Sequence, residues 1–207
     1  MNIKTYNKWL ESRYSAMSPY LRRGQFIFNE LCSLAPEIAE EIRGTDYDAF
    51  YDDKKIANMI CYVDKRHRDY QTELAERVAT KAHEGQTRWD GTPYINHPAR
   101  VAKWLKDQGY SRLDQIVGWL HDTVEDTGLL YEEIEDKFGP EVKKAVQCLT
   151  HGDESYADYI MRVRTNPTAT VVKIADLKDN LSDLLPKQKQ RIDKYELALA
   201  ILEEANE

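Results

Sequence analysis

The segment Trp119 to Gly128 reads WLHDTVEDTG and crowds His121, Asp122, Glu125 and Asp126 into an otherwise apolar stretch. On a helix, Glu125 shares a face with His121, and Asp126 with Asp122. Three carboxylates beside one histidine repel one another unless a cation sits among them, and a divalent metal ion removes that repulsion. Adjacent helical residues point about 100° apart, so His121 and Asp122 reach one ion only if it lies obliquely off the helix. Two further positions carry related chemistry. Asp176 interrupts VVKIADLKDNL, a run apolar enough for a buried helix, and a buried carboxylate needs a partner: Lys173 or a metal. Asn180 follows one turn later on the same face. The plain alternative is a salt bridge to Lys173 with the amide capping a neighbour. His97 stands before Pro98 in a loop rich in glycine and proline, where by itself it reads as a capping or packing residue. Together His97, His121, Asp122 and Asp176 make a mixed nitrogen and oxygen set suited to Mn²⁺, Fe²⁺ or Zn²⁺.

The elements that must position these residues are helices. Strand-like alternation is almost absent and helical spacing recurs throughout, so the fold class expected is all-α. Residues 1–66 read as a small helical appendage. One helix carries Leu21, Ile27, Phe28, Leu31 and Leu34 and stops before Pro36; a second runs through Ile38 and Ile42 to Gly44. The loop GTDYDAFYDD follows, then a short helix KKIANMICYV and a charged junction DKRHRD. This piece could cap the main domain, bind a partner or help to form a homo-oligomer. Residues 67–207 form the main domain. Helices are expected from about Gln71 to Glu84, from Pro98 to Gly109, from Ser111 as cap to Gly128, and from about Tyr131 to Phe138. Gly139-Pro140 breaks the chain before another helix to Leu149. Ser155 starts the next, Asn166-Pro167 breaks again, and Val171 to Leu184 is followed by a last amphipathic helix with Ile192, Tyr195, Leu199 and Leu202.

The 207 residues suit one domain of ordinary size with an appendage. A net charge of -7 speaks against a broad nucleic-acid-binding face, although a local basic pocket for a small anionic ligand remains compatible with it. No apolar run approaches the roughly 20 residues that span a bilayer. The first residues lack the apolar core of a signal peptide. Cys32, Cys61 and Cys148 are far apart and form no C-x-x-C pair, as expected of reduced thiols in a cytoplasmic protein.

The segments AHEGQTRWDGTPYINHPARVA, WLHDTVEDT, FGPEV and VKIADLKDNL resemble the HD-domain hydrolases of RelA/SpoT type, and most of all the small stand-alone alarmone hydrolases. The resemblance covers about residues 70 to 203, in order. It implies an HD-domain helical bundle and a metal-dependent phosphohydrolase, usually with Mn²⁺, that removes the 3′-pyrophosphate of (p)ppGpp. By the same resemblance one divalent ion is held by His97, His121, Asp122 and Asp176. Glu125 and Asp126 act on water and substrate, and Asn180 touches the nucleotide. Arg88 lines the base and phosphate pocket, and Arg191 and Tyr195, in RIDKY, contact substrate. His83 matches no ligand and reads as a supporting or packing residue. No synthetase segment is expected after the hydrolase part.

Two positions depart from the family pattern. Trp89 stands where relatives place a basic residue; it could stack on a base or simply pack. After Thr150 the run is THGDE, with His151 the one candidate cation where relatives carry lysine or arginine. A tetraphosphate would meet fewer positive groups. Hydrolysis of another nucleotide, such as the 2′-phosphate of NADPH or a nucleoside phosphate, therefore stays open, as does a nucleotide-binding module without turnover.

Overall fold

The computed structural model of the protein describes residues 17–204. These residues are helical throughout, and extended pairing among them is confined to an isolated bridge between Thr87 and Pro93. No helix among them is long and apolar enough to cross a membrane. The chain divides into two compact units at Tyr70.

In the first unit, α1 (Arg23–Leu34) and α2 (Pro36–Ile42) follow one another with a break at Ala35. Pro36 is the first residue of α2, where its missing N–H costs nothing. Phe26, Ile27, Phe28, Leu31, Ala39, Ile42, Met59 and Val63 form a core of their own. The acidic, aromatic loop that follows is held by Asp48, whose buried carboxylate accepts from the Gly44 and Phe50 N–H groups at 2.8 and 2.9 Å. Phe50 in turn meets Phe28 edge to face, with ring centroids 5.8 Å apart.

Helix α3 (Ile56–Ala82) corrects one expectation. A short helix, a charged junction and a second helix were expected over this stretch; the chain forms one helix of 27 residues. DKRHRD contains neither glycine nor proline, and its long charged side chains are good helix formers. Asp64 also pairs with Arg68 one turn on, in the favourable acid-before-base order.

The second unit contains α4 (Asn96–Asp107), α5 (Arg112–Leu120), the single turn α6 (Thr123–Asp126), α7 (Tyr131–Phe138), α8 (Pro140–Leu149), α9 (Tyr156–Val163), α10 (Pro167–Asp183) and α11 (Lys189–Glu203). The breakers act as their chemistry dictates. Ser111 Oγ accepts from the Asp114 N–H while the Asp114 carboxylate accepts from the Ser111 N–H, a reciprocal cap on α5. Asn166 caps α10 through its side-chain oxygen and the Ala169 N–H at 2.9 Å. Pro167 then opens that helix in place of breaking it, so α10 begins four residues before the expected Val171.

Helix α10 is the axis of this unit and packs against α4, α5, α8 and α11. Covered on several sides, it buries the near-continuous run Ala169 to Leu177 except for Lys173, which is partly buried. Helices α4 and α5 approach closely at Gly118. A Cβ there would stand 2.7 Å from Leu105 Cδ1 and 3.3 Å from Ala102 Cα. Leu105 is fully buried and has nowhere to move. Gly118 thus sets the separation of the two helices that carry His97 and His121. Gly118→Val is expected to destabilise the fold by about 1–3 kcal/mol through overpacking and to weaken divalent-metal binding in the fraction that folds. Denaturant unfolding and metal titration check both, and unchanged stability would contradict the close-approach reading.

Candidate active site

The local backbone at His121-Asp122 differs from the single helix expected between Ser111 and Gly128. Helix α5 ends at Leu120, Asp122 adopts φ -98° and ψ -7°, and α6 is one separate turn. Thr123 Oγ1 donates to the freed Leu120 carbonyl at 2.7 Å, which takes up an acceptor at the break. No glycine or proline marks this break. At this break His121 and Asp122 turn toward the same point. His121 Nε2 lies 3.1 Å from Asp122 Oδ2.

Two other helices bring their groups to that point. His97, in the first turn of α4, places Nε2 3.0 Å from Asp176 Oδ1 and 3.6 Å from Asp122 Oδ2. Asp176, on α10, lies 3.8 Å from His121 Nε2. One ligand atom each from His97, His121 and Asp176 falls within 4.8 Å of the other two. The choice between Lys173 and a metal as the partner of Asp176 resolves into a division of labour between its oxygens. Lys173 Nζ holds Oδ2 at 2.8 Å, while Oδ1 faces the imidazoles and accepts from Asn180 Nδ2 at 2.5 Å.

The outer nitrogens of both histidines are fixed. His121 Nδ1 lies 2.9 Å from the Gly118 carbonyl, which can only accept, so Nδ1 carries the proton. In the neutral ring Nε2 is then a bare lone pair, and this buried atom makes no hydrogen bond. His97 Nδ1 lies 2.6 Å from Asp179 Oδ2. Asp179 is itself gripped by Arg100 at 2.6 and 2.9 Å. A histidine whose far nitrogen is held by a carboxylate or carbonyl is oriented and made more basic toward a cation.

The electrostatics favour positive charge at the centre. Burial works against a charged imidazole at both histidines, yet the carboxylates around them prevail and raise both above the usual imidazole range. Burial would likewise raise Asp122 and Asp176, but the His121 imidazole at the first and Lys173 at the second hold them below the ordinary carboxylate value. A cation among these four groups replaces the charge that protons would otherwise bring. The orphan His121 Nε2, the two inward carboxylates and the oriented His97 fit such an ion.

The cluster forms the floor of a cavity of about 460 Å³. Every site residue singled out in the sequence borders this cavity except His121, which lies beneath it. Glu125 accepts from the His151 N–H at 2.8 Å. Asp126 Oδ2 and Asp122 Oδ2 lie 2.8 and 2.7 Å from Tyr94 Oη, whose single proton serves one of them at a time. His83 stacks on Tyr94 at 4.7 Å and lies 2.8 Å from Gln86, whose amide donates to the Asp126 carbonyl. Arg88 donates to Asn180 Oδ1 at 3.1 Å and lies 3.4 Å from Asp183. Arg191 rests 5.8 Å from the Tyr195 ring, and Trp89 stands 70% exposed at the edge. Sequence reasoning missed Tyr94, Arg100 and Asp179. Asp179 was visible in DLKDNL one turn beyond Asp176, whereas nothing marked Tyr94 or Arg100.

An all-α bundle with a His-Asp cluster drawn from three helices defines a class. Residues 75–158 match the family model of the HD domain. The chain is 34% identical over 123 residues to a guanosine-3′,5′-bis(diphosphate) 3′-pyrophosphohydrolase of Aquifex aeolicus, covering 55% of this chain and 18% of that protein. It is 32% identical over 137 residues to the bifunctional (p)ppGpp synthase/hydrolase SpoT of Escherichia coli, covering 59% of this chain and 20% of that one. Among solved structures, a metazoan ortholog of SpoT described as hydrolysing ppGpp shares the fold, with a TM-score of 0.51 at 23% identity over 65% of this chain and 94% of that one. The chain thus spans a fifth or less of these curated relatives.

Asp179→Asn is expected to lower Mn²⁺ affinity about 10- to 100-fold by releasing His97 from its orienting carboxylate. Direct titration of the variant measures this; wild-type affinity would show that His97 needs no such support.

Proposed function

We propose that the protein is a metal-dependent phosphohydrolase that removes the 3′-pyrophosphate from (p)ppGpp, with Mn²⁺ as its ion. The observation that carries this reading is the convergence of His97, His121, Asp122 and Asp176 on one buried point at the floor of a nucleotide-sized cavity. The sequence relatives support the substrate class.

His97 Nε2, His121 Nε2 and carboxylate oxygens of Asp122 and Asp176 would hold the ion. When bound, a divalent cation supplies a Lewis acid for a phosphoryl oxygen and makes water acidic enough to react near neutral pH. The remaining work falls to side chains on the cavity wall. Glu125, steadied by the His151 N–H, accepts a proton from the attacking water. Asp126, tied through Tyr94 to Asp122, keeps the water beside the cluster. The water oxygen bonds to the phosphorus joined to the ribose 3′ oxygen, and the P–O3′ bond breaks. The 3′ oxygen takes up a proton, and pyrophosphate and the 5′-phosphorylated nucleoside leave. Arg88, Asn180, Arg191 and Tyr195 border the end of the cavity suited to the nucleotide, with the Trp89 ring offering a face for the base.

The test is incubation with ppGpp, pppGpp and NADPH under Mn²⁺, with product identification. GDP or GTP plus pyrophosphate is expected; phosphate released from NADPH with ppGpp untouched would replace the substrate assignment. Asp122→Ala is expected to lose both metal and turnover with helicity intact. Glu125→Ala is expected to keep the metal and lose about 10²- to 10⁴-fold in rate, the usual span for general acid–base groups. Loss of metal in Glu125→Ala would make Glu125 a ligand.

A further inference from the structure

Asp122, Glu125 and Lys173 border the main cavity and also a second one of about 260 Å³, completed by His151, Tyr156, Tyr159 and Lys194. The two adjoin at these three residues, and their other lining charges differ. In the main lobe, Arg88 lies between Asp179 and Asp183, and the wall carries Asp126 and Asp183 in addition to the cluster. In the small lobe, Lys194 reaches over the Tyr156 ring with Nζ 3.6 Å from its centroid, and no carboxylate among the described residues pairs with it. Burial first, then Arg191 and Lys173, depress its pKa. Lys173 stands over the neighbouring Tyr159 ring at 5.1 Å. The Tyr156 hydroxyl is buried without a hydrogen-bond partner, and burial pushes its pKa up to about 12, so it remains a donor. His151 packs edge-on against Tyr159 at 4.9 Å.

The unpaired Lys194 ammonium, an idle hydroxyl donor and an imidazole around so small a space fit a compact anion and exclude a nucleoside. The lobe opens at Asp122 and Glu125, where the reacting phosphorus sits in the reading above. We propose that it is the subsite for the terminal phosphate of the 3′-diphosphate, with Lys194 the residue that makes the site prefer a diphosphate to a monophosphate ester. This rests on the pyrophosphohydrolase reading.

The test is calorimetric titration of the Mn²⁺-loaded wild type, Lys194→Ala and Lys194→Arg with pyrophosphate and, separately, orthophosphate. Lys194→Ala is expected to weaken pyrophosphate binding on the order of 10- to 100-fold, as for loss of a charged hydrogen bond, and orthophosphate far less. Lys194→Arg is expected to restore most of the loss. In turnover, the KM for ppGpp should rise in Lys194→Ala while inhibition by GDP stays unchanged. Unaltered pyrophosphate affinity in a folded Lys194→Ala, or equal losses for both anions, would overturn the subsite. The titration needs no turnover. Loss of pyrophosphate binding in a protein inert toward ppGpp would therefore sink the substrate assignment and keep the subsite, while ppGpp hydrolysis with pyrophosphate binding insensitive to Lys194 would do the reverse.

Discussion

Buried carboxylates and imidazoles that need a shared positive charge are the constraint around which the second unit is organised. Asp176 is buried on α10, among the apolar residues Val171 to Leu177. Removing a carboxylate from water costs several kcal/mol unless it is paired and hydrogen-bonded. Lys173 neutralises Oδ2, while Oδ1 accepts from the uncharged Asn180 amide and is turned toward two histidines and a second acid. The side without a lysine is what makes the point receptive to a cation.

Holding such a cluster together demands rigidity from elements that do no chemistry. Gly118 lets α4 and α5 come close enough for the His97 and His121 rings to lie 5.3 Å apart. The break after Leu120 aims two consecutive residues at one place. Asp179 and Arg100 lock His97 from behind, and the Gly118 carbonyl locks His121. The same glycine therefore serves helix packing through its missing side chain and histidine orientation through its carbonyl.

Charge is graded across the cavity. Acids concentrate at the centre, Arg88 is balanced by Asp179 and Asp183, and Lys194 lies over the Tyr156 ring with no carboxylate partner among the described residues. A substrate with negative charge extending past its reacting phosphorus complements that order better than one whose charge ends there. Trp89, exposed at the rim, adds an aromatic surface.

Helical periodicity and the breakers Gly109, Ser111, Gly139-Pro140 and Asn166-Pro167 were enough to determine an all-α bundle, because capping and proline sterics act within a few residues. The residue types at 97, 121, 122 and 176 were enough to nominate a metal centre, because carboxylates in apolar surroundings demand compensation wherever they fold. Three things were decided only in three dimensions. The charged run at 64–69 continued one helix, since a charge pair on the helix surface outweighed its loop-like look. The helix through His121 broke with no breaker to announce it. Asp179 acquired its hold on His97 from a neighbour on another helix. Local preference is written residue by residue, but the direction in which a side chain points at a distant one depends on how helices pack, and that is a property of the whole core.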